Sequence, residues 1–232
     1  MSTWVVLVGW AGCEQDEARP VPPEQIRAQI PLGTRFGLPM DRTRISTRIG
    51  FDHDPVDGTG FAGDATCLDY AGRNFPHCYD EHDGTDLILV GGFDAMDAGS
   101  TPVRAAYDGW VIEVVDGNYD RCHIDGGSVS CDGYPIEPNY VEVEHPDGLV
   151  SRYFHLQQWS AVVEIGDQVP CGTPLGRVGS SGNSSMPHLH FEVQRDGVSV
   201  DPFAGPYSQP ESLWEDQGMD AGLPEDGCVT PL

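Results

Sequence analysis

Pro187-His188-Leu189-His190-Phe191-Glu192-Val193 sets two imidazoles one residue apart at the head of an apolar run. In extended backbone, residues i and i+2 share a face, so both rings would enter one site. Neutral imidazole is the commonest metal ligand, and zinc sites are built from such close pairs. The pair gains weight only if further ligands lie elsewhere. Upstream, His82-Asp83-Gly84-Thr85-Asp86 runs straight into Leu87-Ile88-Leu89-Val90. A spacing of four is even, so His82 and Asp86 face the same side even in extended chain, and Gly84 allows a bend between them. His53 and Asp57 repeat this spacing, and His77 stands four before Glu81. Neither is followed by an apolar strand that would hold its acid rigidly, so His53 and His77 are read as exposed loop histidines. His82, Asp86 and His190 then offer two nitrogens and one oxygen with room for water. That is the layout of a catalytic zinc site, since a structural one is closed by four protein ligands. Manganese or iron would accept the same ligand types.

Short apolar runs cut by Gly, Asp-Gly and Pro must position these groups. Candidate strands are Asp86–Val90, Pro102–Ala106, Trp110–Val115, Tyr140–Glu144, Val150–His155, Pro174–Val178 and Leu189–Gln194. In the fifth, Tyr153 and His155 alternate and are expected on one face. Pro146-Asp147-Gly148, Asp108-Gly109 and Asp196-Gly197 are turn signals. Gly91 to Asp97 reads as an extended loop beside the metal, and Asp116 to Ile136 as an insertion. The expectation is a mainly β chain, a single antiparallel β-sheet or sandwich-like domain with long loops and few helices. It would span residues 44–206, between a tether at 14–43 and a tail at 207–232 packed by Leu213 and Trp214.

The formal charge of −25, with all twelve basic residues arginine, argues against nucleic acid and anionic membrane surfaces as partners. The apolar run in residues 1–13 is too short to span a bilayer but resembles a clipped export leader. Trp10-Ala11-Gly12-Cys13 resembles a lipobox, so lipidation at Cys13 is the one membrane attachment expected. The other six cysteines form no C-x-x-C pair, and their even number in an exported chain suggests disulfides. Fifteen pairings are open in principle, and short loop closure favours Cys67–Cys78 and Cys122–Cys131, leaving Cys171–Cys228.

In this order, the residues resemble the lysostaphin and LytM type of zinc endopeptidase, many of which cut peptidoglycan cross-links. The resemblance runs through His82 to Asp86, Gly99 to Val103, Asn139-Tyr140-Val141 with His145, and Tyr153-Phe154-His155-Leu156. It continues from Gly166 through Gly172, Gly176, Gly179 and Gly182 to Pro187–Val193, then Asp201-Pro202. By itself His155 reads as a hydrogen-bonded surface residue. The resemblance instead makes His155 and His188 a catalytic pair beside a single zinc held by His82, Asp86 and His190. No H-E-x-x-H is present, so histidines must handle the protons. Zinc would polarise the scissile carbonyl and bring the pKa of water toward ~7. The implied protein is an exported, monomeric endopeptidase acting on peptidoglycan cross-links or stem peptides. Alternatives are an extracellular protease of Gly-rich proteins and a non-catalytic amidase activator; such activators lose the ligands, and all five positions are present here. The loop at 91–97, the Cys122–Cys131 insertion and the lack of a recognisable wall-binding module depart from the family pattern.

Overall fold

Val141 and Val143 are buried while Tyr140, Glu142 and Glu144 are only half-buried, and the run Leu149–Phe154 alternates in the same way. A period of two is what a sheet with one packed face requires. The computed structural model describes residues 33–55, 66–99, 101–218, 222–225 and 227–228. Along it run β1 (Ile45–Ile49), β2 (Thr85–Leu89), helix α1 (Gly92–Asp97), β3 (Pro102–Arg104), β4 (Gly109–Val115), β5 (His123–Asp125) and β6 (Ser128–Ser130). There follow β7 (Tyr140–Glu144), β8 (Leu149–Phe154), β9 (Gln168–Val169), β10 (Pro174–Arg177), β11 (His188–Arg195) and β12 (Val198–Val200). The main sheet has the order β1-β2-β11-β8-β7-β4-β9, with β12 also on β11, and every pairing is antiparallel. β3 with β10, and β5 with β6, form two small antiparallel pairs. The architecture is the mainly β, antiparallel one expected, and the seven predicted strands are present to within two residues at either end.

β11 is buried on both faces from His188 to Val193. Leu189, Phe191 and Val193 point into the core with Leu87 and Leu89 of β2, Tyr153 of β8 and Trp214. His188, His190 and Glu192 occupy the other face. The sheet therefore has an apolar side that holds it together and a polar side on which chemistry can be arranged.

Two expectations need correction. Gly91–Asp97 is not an extended loop. Gly91 and Gly92 turn the chain at φ 84° and 52°, and the next residues wind into α1 with Met96 buried and Phe93 packed on the core. Six residues are too few to give a readable helical period. The end of the tether is also misread, because Phe36, Leu38 and Met40 are core residues. The Phe36 N–H donates to the Leu213 carbonyl at 2.7 Å, and the Glu215 N–H donates to the Phe36 carbonyl at 2.9 Å. This stretch is thus zipped to the tail, where Leu213 and Trp214 are buried as expected. The disulfides are Cys67–Cys78 and Cys122–Cys131, which short loop closure favours, and Cys171–Cys228, the pair then left. The leader, Cys13, the rest of the tether and Asp57 lie outside the described residues.

Candidate metal centre

Register brings the first ligands together. On β2 and β11, Asp86 lies directly opposite His190, and their side chains rise from the same face. His82 enters from the preceding loop. Its Nδ1 lies 2.6 Å from the Gly50 carbonyl just past β1, so Nδ1 carries the proton and Nε2 is left with a lone pair. The three facing atoms form a small triangle: His82 Nε2 to Asp86 Oδ1 is 3.1 Å, His82 Nε2 to His190 Nδ1 3.2 Å, and His190 Nδ1 to Asp86 Oδ1 2.9 Å. All three residues are buried. A tetrahedral zinc with bonds of about 2.0–2.1 Å needs ligand atoms roughly 3.3 Å apart, so the triangle fits that ion.

The surroundings favour a cation. Burial works against the charged form of His190, but its contacts with Asp83 and Asp86 outweigh this and hold its pKa up to about 10. Burial likewise opposes the Asp86 carboxylate, and the electrostatic pull of the neighbouring His82 and His188, with hydrogen bonds from His188 and His190, overcomes it, keeping Asp86 well below the usual range. Gly84 is needed for space. A Cβ there would lie 2.6 Å from the His190 ring, so the glycine in His82-Asp83-Gly84 leaves room for that imidazole against the loop.

The remaining pair of histidines closes one side of the triangle. His188 is buried, with Nδ1 2.7 Å from the Met186 carbonyl and Nε2 3.4 Å from Asp86 Oδ1. His155 Nδ1 is 2.6 Å from the Ser181 carbonyl. A carbonyl can only accept, so each Nδ1 is protonated and each Nε2 is turned to the site. The two rings are 4.7 Å apart between centroids, and His155 lies 5.8 Å from His190. The His155 ring is packed among Phe154, His188 and His190; loss of hydration, then the charges of His188 and His190, push its pKa well below the usual value.

His155 arrives there by a route the alternation does not predict. Tyr153 points into the core against Phe191, while Phe154 shares a face with His190, 5.9 Å between ring centroids. Continued strand would send His155 into the core beside Tyr153. Instead β8 ends at Phe154, and His155 adopts a left-handed φ of 63°, which swings its ring across to the site. A non-glycine residue in that region costs on the order of 1–2 kcal/mol.

Sequence reasoning missed Tyr79. Its ring stacks on His82 at 4.2 Å, and its hydroxyl donates to Asp86 Oδ2 at 3.2 Å, leaving Oδ1 for the metal. Burial, then the Asp86 charge, raise its pKa, so the hydroxyl stays a donor. Its place three residues before His82 was the available signal. Asp83 was also missed; its Oδ1 is 3.5 Å from His190 Nε2. Asp83, His190 and Glu192 form a second acidic-histidine group, but Glu192 is already engaged by Arg152, Gln194 and Ser199. His53 is half-buried rather than exposed, because its Nε2 pairs with Asp201 Oδ2 at 2.9 Å. It stands apart from the triangle, and His77 is exposed as read.

Comparison with known proteins gives three similar chains of note. The murein hydrolase activator EnvC of Escherichia coli is 38% identical over 99 residues, covering 41% of this chain and 22% of EnvC. The peptidoglycan DD-endopeptidase ShyC of Vibrio cholerae is 30% identical over 132 residues, covering 57% of this chain and 24% of ShyC. A zinc-containing peptidase from Vibrio cholerae, known from its crystal structure, aligns with 80% of this chain and 43% of its own at 24% identity and a TM-score of 0.47. This chain thus spans about a quarter of the length of the two curated relatives. The profile of Peptidase family M23 matches residues 81–202, a stretch that runs from the residue before His82 to beyond β12. More than half of the chain is covered, and it encloses the ligand triangle and both further histidines: the protein belongs to Peptidase family M23.

Proposed function

We propose that this protein is a zinc-dependent endopeptidase that hydrolyses peptide bonds in peptidoglycan cross-links or stem peptides, with His82, Asp86 and His190 holding one zinc. The observation that carries this is the convergence of His82 Nε2, Asp86 Oδ1 and His190 Nδ1 to within 3.2 Å of one another beside two further inward-facing imidazoles. Zinc bound there would act as a Lewis acid on the scissile carbonyl and acidify water. The two outer histidines differ in a way that supports a division of labour. His155, kept neutral, takes the proton from the attacking water at Nε2 and passes it to the leaving amine. His188, with Nε2 beside the Asp86 carboxylate, is placed to hold a proton and donate a hydrogen bond to the developing oxyanion. Three disulfides support export to an oxidising compartment, where the wall lies. Lipidation at Cys13 belongs to the same proposal.

The test is digestion of purified peptidoglycan by the zinc-loaded protein, with mass spectrometry of the released fragments. New amine and carboxyl ends are expected. His155→Ala and His188→Ala should keep one equivalent of zinc and lose turnover by about 10²–10⁴, the scale of acid–base and oxyanion roles. Parental rates in either variant would reduce that histidine to a structural part. The match to EnvC, a murein hydrolase activator, supports a second function, activation of another wall hydrolase such as an amidase. Intact peptidoglycan after incubation with the zinc-loaded protein, together with stimulation of an added amidase, would favour it. Cleavage of a Gly-rich protein but not of peptidoglycan would point to the extracellular protease instead.

A further inference from the structure

The insertion that holds Cys122–Cys131 has no part in the chemistry above, yet it is tied to the segment that orients both outer histidines. The Cys122 N–H donates to the Ser180 carbonyl at 2.8 Å, and the Ser180 N–H donates to the Asp120 carbonyl at 3.1 Å. Ser180 is fully buried, and its hydroxyl donates to the Cys122 carbonyl at 2.6 Å. On the other flank of the disulfide, Cys131 Sγ lies 3.6 Å from the Gly182 carbonyl oxygen. Gly182 has φ +73°, and a Cβ there would meet Pro138, two residues past the insertion, at 2.8 Å, so the chain leaving the insertion and this segment lie backbone to backbone.

Proton counting carries the link to the histidines. Ser180 has one hydroxyl proton, and it goes to Cys122. Ser184 Oγ lies 2.8 Å from Ser180 Oγ and 3.0 Å from the Met186 carbonyl, and its one proton is shared between these two acceptors. The Ser184 oxygen then faces His188 Nδ1, 3.3 Å away, as an acceptor, reinforcing the Met186 carbonyl in keeping that nitrogen protonated. Ser181 supplies the carbonyl that fixes His155, and its hydroxyl bridges the Asn139 N–H and the Leu156 carbonyl at 2.9 Å each. The ligand triangle meets this network through the two outer imidazoles, His188 Nε2 lying 3.4 Å from Asp86 Oδ1 and the His155 ring 5.8 Å from His190, but it has supports of its own. It is held by the Gly50 carbonyl, Tyr79 and the β2–β11 register.

We propose that the disulfide-closed insertion is a brace for the two outer histidines and that Ser180 is the positioning residue through which it acts. It holds the Ser180–Ser184 segment so that both imidazoles keep Nδ1 protonated and Nε2 turned to the site. The role in turnover rests on the endopeptidase function proposed above.

The test uses the full zinc-loaded chain, as parent, as Ser180→Ala, and as the double variant Cys122→Ser, Cys131→Ser. Zinc affinity is measured by chelator competition, imidazole tautomers by nitrogen-detected NMR, and kcat and KM on soluble peptidoglycan fragments. In both variants zinc affinity should stay within about threefold of the parent. The His155 and His188 signals should lose their fixed Nδ1–H pattern, and kcat should fall about 10–100-fold, the scale seen when groups that orient site histidines are removed. KM should change less than about threefold. Parental tautomers with parental kcat in Ser180→Ala would overturn the proposal, as would a loss confined to KM, which would make the insertion a wall for substrate. Should the double variant fail to fold, Ser180→Ala decides alone, since it keeps the disulfide. Should the parent prove inactive, the endopeptidase reading fails, while the tautomer measurement still decides the brace.

Discussion

At the scale of single residues, the metal centre depends on groups that orient the ligands as much as on the ligands. Tyr79 anchors one oxygen of Asp86 and stacks on His82. Tyr79→Phe keeps the stack and removes the hydroxyl, so zinc affinity should fall about 10–100-fold with the fold retained. Asp86→Ala should remove the metal altogether, whereas His53→Ala, which loses only a pairing with Asp201, should leave it bound. Chelator competition on the three variants checks this; equal affinity in Tyr79→Phe and the parent would show that the hydroxyl is a bystander. The ligand trio was legible because two-residue and four-residue spacings keep side chains on one face. Tyr79 was not, since a lone aromatic in a loop has no period to betray its partner.

At the scale of elements, the β7–β8 hairpin is locked from inside by a histidine with no part in catalysis. His145 is buried, with Nδ1 2.9 Å from the Asp108 carbonyl and Nε2 2.8 Å from Ser151 Oγ. Burial pushes its pKa down to about 4, against the partial opposition of that carbonyl and the nearby charges of Asp147, Asp108 and Glu144. An unfolded histidine titrates near 6.5, so between the two values the unfolded chain binds the extra proton. The neutral ring's contribution is therefore whole above pH ~6.5 and is lost as pH falls through ~4, to a limit of about 3 kcal/mol. His145→Asn keeps a donor toward Asp108 and cannot titrate. It should show a shallower fall in stability than the parent between pH 7 and 4.5 in urea melts. Parallel slopes would mean that His145 is not the group responsible.

At the scale of the whole molecule, the chain closes on itself: Phe36 pairs with the tail, Gly37 and Pro39 with residues 104–106, and Cys171–Cys228 fastens the tail to the domain. The bridge spans 57 residues, against 11 for Cys67–Cys78. Loop-closure entropy then predicts a cost of about 4 kcal/mol for removing the former and about 3 kcal/mol for the latter. Denaturant melts of the two double Cys→Ser variants should rank in that order; the reverse would show that local packing, rather than chain length, sets their worth. Apolar alternation and turn residues were enough to locate the strands of the main sheet near the site, since a strand one-sidedly buried must show a period of two. Spacing also proposed His82, Asp86 and His190, and short closures proposed two of the disulfides and left the third pair. The alternation of Phe36, Leu38 and Met40 was visible too, but its Pro and Gly surroundings masked it. Long-range pairing decided the rest. Only the register sets Asp86 opposite His190, and only a left-handed residue at the end of β8 turns His155 from the core to the site. Only packing shows why residue 84 has no side chain, and why an insertion far along the chain touches the segment that aims two imidazoles. Local sequence encodes which face a residue takes within one strand; which strands meet, and what their ends then touch, is settled by contacts between residues distant in the chain.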